Sequence, residues 1–424
     1  MSKKVNLSTL IIAVVIAVAI TFTLTFGVVQ IANTLFDVFS AVQISSTVGE
    51  RVDQIQSTLP EDKRNSELFE TLAFIDYYYQ KNYVGEIDND SLTFYLMNAY
   101  IEYVGDKYGM YYTPEMVDEL FSSFQGVKVG IGVYIKNSLA DNGIKVLAVM
   151  DNSPASKAGL KNGDIIVEID GNLVSTLGYE LASEMIAGEP GTKVLLGVIG
   201  TDGVKRPVEV TRAEFDAQSV FYRKYELDST VGIVRILDFN NNTPAQFKNA
   251  VNTLIDSGVT SLIFDVRSNS GGTLDSCLEM LDYLLPSGVI AKITDGDGNI
   301  VKQYYSDAGE INVPMAVLTD GYTASAAELF TCALKDYGKA TIIGTKTYGK
   351  GCMQNVFELP CGGALRYTTN LFNGPTSPNF DGIGISPDIT VELDSTLSQK
   401  NYFEISDSED NQIKGAYNAL KNNK

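Results

Sequence analysis

Two residues in the stretch from Val317 to Gln354, Ser325 and Lys350, have the types and setting that could hydrolyse an acyl bond. The chain contains no histidine, so the imidazole that usually activates a serine is missing and a lysine amine must take the proton. Ser325 stands between Ala324 and Ala326, where a strand (MAVLT) gives way to a helix (AAELF). Small neighbours leave access there, and a helix N-terminus favours a developing oxyanion. Read alone, a serine at that point is also an ordinary N-cap, and Lys350 an ordinary solvated charge. Gly349 and Gly351 on either side of the lysine argue instead for a backbone held closely against another segment. To act as a base near neutral pH, Lys350 must have its pKa drawn from ~10.4 to about 7, which costs roughly 4–5 kcal/mol and requires a desolvated pocket. Gln354 can hold that amine through its side-chain oxygen. Backbone N–H groups of the Gly271–Gly272 pair and of Ala326 can receive a tetrahedral oxyanion, a single such donor contributing ~2.7–4 kcal/mol.

The elements that must position these groups follow from periodicity. After Glu214 the chain alternates strand and helix: GIVRILDF, then a helix from Pro244 with Phe247, Ala250, Val251, Leu254 and Ile255 on one face, then SLIFDV, LDSCLEMLDYLL and MAVLT. Such alternation implies parallel strands joined by crossover helices. Two strand ends carry the polar loops DVRSNSGG (265–272) and TDGYTASAAE (319–328), and ligands of open α/β sheets collect at the carboxyl ends of strands. Upstream, residues 61–125 read as a small helical cap rich in tyrosine, its last helix marked by Thr113, Pro114 and Glu115, with the tyrosines as core. Residues 126–213 change to short strands separated by turn signals, a compact β-rich module. The sequence from 396 on reads as a polar tail with a short helix near 413–420.

Composition narrows the function classes. The formal charge of −20 argues against a nucleic-acid surface. No histidine and no CxxC spacing among Cys277, Cys332, Cys352 and Cys361 argue against a zinc site, and no cofactor is implied. The cysteines read as two bridges or as buried apolar residues. At the N-terminus, Lys3 and Lys4 precede an uncharged run from Leu10 to Gln30, long enough for a helix of about 31 Å. With no A-x-A cleavage pattern, residues 1–36 read as a cytoplasmic tip and uncleaved anchor, the protein being single-pass in the cell membrane with everything beyond it outside the cytoplasm. Residues 37–60 read as a stalk or linker, and the helical spacing of Ile31, Leu35, Val38 and Val42 and then of Val48, Val52 and Ile55 leaves a homo-oligomer open.

Two resemblances then join these parts. SPASKAGLKNGDIIVEIDG resembles the core signature of PDZ domains, and Gly130, Ile131 and Gly132 sit where that family keeps its carboxylate-binding loop. The physics agrees, since glycines let successive N–H groups converge on an anion and the next strand can accept a peptide as an added strand. The whole, from Glu61 to Glu392, resembles the carboxyl-terminal processing proteases: DVRSNSGG, TASAAE, TYGKG and GIGISPDI match that family's blocks in order. The resemblance implies a fold of mixed α/β class, an α/β serine protease core (214–395) with an inserted PDZ module and a helical cap. It implies a nucleophile at Ser325, a general base at Lys350, an orienting glutamine at Gln354 and an oxyanion glycine at Gly271, with Asp336 supportive. It also implies protein or peptide substrates with free apolar C-termini. Thr323, Ala327, Asp320 and Ser270 depart from the family pattern, Thr323 with an expected effect on the approach to the site. The rival readings are a PDZ scaffold without catalysis and a lysine-assisted hydrolase of small esters or amides.

Overall fold

A computed structural model describes residues 63–422 except 308 and 399. The anchor and stalk expected over 1–60 lie outside the described residues, among which no helix is long and apolar enough to cross a membrane. The chain divides into two compact units, one of residues up to 118 together with 354–368, the other of 119–353 and 369–424.

In the first unit, α1 (Lys63–Asn82) and α2 (Asn89–Val104) precede β1 (Met110–Tyr112) and the start of α3 (Pro114–Gln125). The Thr113 side chain hydrogen-bonds the Glu115 carboxyl and holds it below its ordinary pKa. β1 pairs antiparallel with the strand Ala364–Asn373, Met110 opposite Arg366, and Asp106 accepts from Thr368 N (2.7 Å) and Oγ1 (2.8 Å). The unit therefore includes a hairpin that the sequence assigned to the 214–395 core. Local periodicity carries no trace of a strand pairing made across some 250 residues. The tyrosines are a second correction. Tyr78, Tyr79, Tyr95, Tyr100 and Tyr103 are all exposed rather than core. Tyr77, Tyr78 and Tyr79 are consecutive, and neighbours about 100° apart on a helix cannot share one buried face.

In the second unit, β2 (Val127–Gly130) leads into β3 (Val133–Ser138), β4 (Gly143–Val149), β5 (Ile165–Ile169), β6 (Asn172–Leu173), α4 (Tyr179–Ile186), β7 (Lys193–Ile199) and β8 (Lys205–Thr211). These strands run in spatial order β3-β4-β5-β7-β8 with β6 beside β5, and β9 (Ala213–Asp216) returns antiparallel to β2. The module has its own core, centred on Ile144, Ile166, Ile169, Leu196 and Val198, and β3 is an edge strand of its sheet.

The remainder is the expected α/β sheet. β10 (Val220–Tyr225), β11 (Asp228–Ile236), α5 (Thr243–Asp256), β12 (Ser261–Asp265), α6 (Leu274–Leu284), β13 (Gly288–Thr294), β14 (Ile300–Ser306), β15 (Met315–Thr319), α7 (Ala326–Asp336) and β16 (Ala340–Gly344) follow in turn. Next come β17 (Cys352–Glu358), β18 (Ala364–Asn373) and β19 (Ile389–Thr390). The main sheet runs β10-β11-β12-β15-β16-β19 and is parallel from β11 onward. Its central strands are apolar on both faces because both are covered. Leu262 and Phe264 pack with Phe247, Leu281 and Phe330 of α5, α6 and α7, while Ile263 points the other way, with Leu318 and Ile343.

What covers that second face corrects the reading of 396–424 as a polar tail. Asn411–Asn422 forms α8, and its Ile413, Ala416, Ala419 and Leu420 are buried against the sheet. The same segment satisfies a buried charge. Arg267, 1% exposed, forks onto Asp265 (2.8 and 2.7 Å) and onto Asp410 (3.2 and 2.9 Å), with Gln412 at 2.9 Å. Burial alone pushes the Asp265 carboxyl up, but the Arg267 and Arg235 guanidiniums hold it well below the usual carboxylate range. The arginine of DVRSNSGG is thus a structural fastener, and its spare nitrogens need the C-terminal segment. Asp410→Ala leaves two buried cations sharing Asp265, and breaking a buried pair on one side costs about 3–5 kcal/mol. The expected result is a drop of that size in urea-unfolding free energy; an unchanged midpoint would refute it.

Candidate active site

Ser325 is the N-cap of α7, directly after the loop that leaves β15. Its backbone lies at φ 57° and ψ −120°, a region that non-glycine residues enter only at a cost of about 1–3 kcal/mol. Ser325 also forms a capping box with Glu328 at the head of α7. Three contacts hold the strained turn in place. The Ser325 N–H donates to Glu328 Oε2 at 2.9 Å; the Ala324 N–H donates to Asn269 O at 2.9 Å; and Gly271 lies so close that a Cβ on it would sit 2.8 Å from Ser325 Cβ and 2.9 Å from Ala326 N.

Glu328 is the residue that sequence reasoning missed. It is fully buried, and among the described ion pairs it has no cationic partner. Instead its carboxylate accepts four hydrogen bonds. Oε1 takes Thr347 Oγ1 (2.5 Å) and Gly349 N (2.7 Å), and Oε2 takes Ser325 N (2.9 Å) and Lys350 N (2.8 Å). One side chain therefore ties the main chain of the serine to the main chain of the lysine. The S-x-x-E spacing from Ser325 is the capping-box signal that could have singled it out, though only for the bond to the N-cap N–H.

The loop that carries Lys350 is fixed from its other side, as its glycines suggested. A Cβ on Gly349 would lie 2.8 Å from Gly384 N, and one on Gly351 2.6 Å from Asp381 N. Gly382 N donates to Gly349 O (2.8 Å) and Gly351 N to Asp381 Oδ1 (2.9 Å). GIGISPDI is thus the wall against which TYGKG is built. Lys350 itself is half-buried. Gln354 falls in the first unit, where its Nε2 donates to Thr368 Oγ1 at 3.4 Å.

The two candidate oxyanion donors fare differently. Ala326 occupies the first helical position, whose N–H has no acceptor within a helix. The Gly271 N–H, by contrast, donates to Asn269 Oδ1 at 2.8 Å. Gly271 is brought to the site as expected, but its amide is already committed, because Asn269 is wholly buried and turns its other end to Ile236 O at 2.8 Å.

The departures from the family pattern also resolve. Thr323 is fully buried and donates to Val266 O at 2.8 Å, so it links two loops and does not border the approach to the site. Asp320 accepts from Ser268 N and Oγ, from Tyr322 N and Thr323 N, and from Tyr402 OH. Asp336 accepts from Thr376 N and Ser377 N at 2.7 Å and from the Ser377 hydroxyl, and so fastens that loop. Cys277, Cys332 and Cys352 are buried and Cys361 is exposed. Burial pushes the Cys332 thiol up to about 12, so it is inert.

Over the carboxyl ends of β11, β12, β15 and β16 opens a cavity of about 860 Å³, reaching Ser270 beside Gly271. In the β-rich module, Gly130 and Gly132 have φ of 143° and 81°. A Cβ on Gly132 would lie 2.2 Å from Ser153 Cβ, so the loop requires glycine there. Ile131 is 3% exposed and belongs to the module's core, with Val133 packed partly against it. Edge strand β3 starts immediately after the loop.

Residues 230–391 match the family model described as Peptidase family S41, and residues 145–199 match that of a PDZ domain. The chain is 32% identical over 303 residues to a carboxy-terminal-processing protease of Bartonella bacilliformis, covering 70% of this chain and 69% of that protein. It is 30% identical over 318 residues to a CtpA-like serine protease of Staphylococcus aureus, covering 74% of this chain but only 62% of the relative's length. Among solved structures, an S41 protease of Bacteroides fragilis aligns with a TM-score of 0.54 over 83% of this chain and 97% of that one; at 17% identity this likeness concerns the fold alone.

Proposed function

Because the chain belongs to the carboxy-terminal-processing proteases of peptidase family S41, we propose that it is a membrane-anchored, extracytoplasmic endopeptidase that cuts near the C-termini of unfolded or exposed protein tails. The observation that carries this reading is the single buried carboxylate, Glu328, to which the backbones of Ser325 and Lys350 are both bonded. In this mechanism Ser325 Oγ attacks the scissile carbonyl carbon while its proton passes to the neutral Lys350 amine. The carbonyl oxygen becomes an oxyanion and accepts from the Ala326 N–H, and from the Gly271 N–H once that group exchanges Asn269 for the substrate. The lysine ammonium returns the proton to the leaving amine, and water then hydrolyses the acyl-serine by the same route in reverse.

Substrate choice rests on the PDZ module. The Gly130–Gly132 loop takes the free C-terminal carboxylate and edge strand β3 takes the tail as an added strand. Binding there raises the tail's effective concentration at Ser325, or shifts the module toward a state in which the site is open. The test compares one unstructured peptide with an apolar C-terminus as free acid, as amide and with a terminal Asp. The expected result is kcat/KM at least about tenfold higher for the free acid; equal values for all three would remove the module from substrate selection.

The anchor over residues 1–36 places the peptidase outside the cytoplasm. Added protease should therefore remove it from intact cells, and protection until lysis would reverse the topology.

A further inference from the structure

The cavity over the strand ends contains one carboxylate that its surroundings leave short of partners. Its lining cations are Lys128, Arg235 and Lys400, of which the last two are paired, with Asp265 (2.8 Å) and Glu409 (2.9 Å). Asp320 is filled by the five donor groups named above. Asp238, which follows β11, differs. Oδ1 accepts from its neighbour Phe239 N (2.7 Å) and Oδ2 from Asn240 Nδ2 at 3.4 Å. A carboxylate can accept about four hydrogen bonds, so Asp238 retains capacity on the cavity side. Among the described ion pairs none involves Asp238, and the cation that acts on it, Lys128, is an exposed residue of β2. Burial pushes the Asp238 carboxyl up from its ordinary pKa, so a cation brought beside it would be bound favourably.

Its position ties it to the reaction. Phe239 N donates to Gly271 O (3.0 Å) and Thr273 N to Phe239 O (2.6 Å), a parallel bridge that fixes Asp238 beside the two glycines. A Cβ on Gly272 would lie 2.9 Å from Asp238 Oδ1, while one on Gly271 would meet Ser325 Cβ. The carboxylate and the nucleophile are thus held against successive residues of one rigid segment.

We propose that Asp238 is a specificity-determining residue, which selects substrates carrying a lysine or arginine side chain close to the scissile bond. The proposal rests on the endopeptidase reading above. Beside Lys128, two neutral groups face Asp238: the Asn240 amide and the Tyr134 phenol, which burial and then Asp238 itself push up to about 12, against the opposing pull of Arg235. The chain's net charge of −20 favours approach of cationic segments.

The test uses the full-length chain in detergent and a set of unstructured peptides with the same apolar free C-terminus. First the cleaved bond is mapped by mass spectrometry. Then Lys, Met or Glu is placed in turn at each of the residues flanking it. At one flanking position the Lys peptide should be cleaved about tenfold faster than the Met peptide in kcat/KM, and the Glu peptide slower still. That measurement needs no variant. In Asp238→Asn the Lys-to-Met ratio should fall to about one, and in Asp238→Lys the Glu peptide should overtake the Lys peptide. In Glu392→Gln, which removes the other cavity carboxylate without a described partner, the ratio should persist. Equal rates for Lys, Met and Glu at every position would overturn the proposal while leaving the endopeptidase reading standing. A ratio kept in Asp238→Asn, or lost in Glu392→Gln, would overturn the assignment to Asp238. Failure of the wild-type chain to cut any of the peptides would overturn the endopeptidase reading, and this proposal with it.

Discussion

Ser325→Ala and Lys350→Ala should each lower kcat by about 10⁴-fold or more, because residues that act as one unit fail together. The structure makes this a clean experiment for the serine. The alanine variant loses at most the capping-box contact of the Ser325 side chain, so its stability should fall by no more than about 1 kcal/mol. A companion variant separates chemistry from folding. At φ 57° the Ser325 backbone is strained, and Ser325→Gly should be as inactive as the alanine variant yet at least as resistant to urea as wild type. With a lysine as base, the wild-type rate should rise with pH along one ionisation and lack the imidazole limb near ~6.5, since the amine must lose its proton before it can accept one from Ser325. Near-normal turnover in either alanine variant would sink the dyad.

Glu328→Gln should be nearly as damaging, although the substitution is isosteric and Glu328 accepts no proton in the mechanism. All four partners of the carboxylate are donors, and each oxygen takes two of them. An amide can offer only one oxygen, and although the Thr347 hydroxyl can turn to accept from its NH₂ group, that group must still face at least one backbone N–H in a fully buried site. One or two charge-assisted bonds at ~1.5–3 kcal/mol each give a loss of roughly 1.5–6 kcal/mol. Part of that loss will appear as lower stability and part as separation of the Ser325 turn from the Lys350 loop. The expected readout is a lowered urea midpoint together with a fall in kcat of at least about 100-fold, with KM for a PDZ-bound peptide little changed. A Gln variant within threefold of wild-type kcat would show that the tether does not position the dyad.

How far the sequence alone reaches can be judged from these same residues. Ser325 and Lys350 were legible because absent histidine, small flanking residues and flanking glycines are local properties. The strand-helix alternation from 232 onward and the β-rich module were legible for the same reason: burial on one face or two writes a period of 3.6 or 2 directly into the chain. What local pattern does not carry is the pairing of groups far apart in sequence. Nothing in S-x-x-E announces that Glu328 also accepts from Thr347, Gly349 and Lys350. Nothing in DVRSNSGG announces that Asn269 takes up the Gly271 N–H, or that Arg267 waits for Asp410. The 396–424 segment read as polar because α8 buries only a narrow stripe, Ile413, Ala416, Ala419 and Leu420, whose value depends on a sheet face left bare by the other helices. The sequence by itself therefore determined which groups are the candidates for the chemistry and what kinds of element hold them. Only the tertiary structure decided how they are held, because a buried carboxylate or guanidinium is stable only where several distant donors or acceptors converge on it.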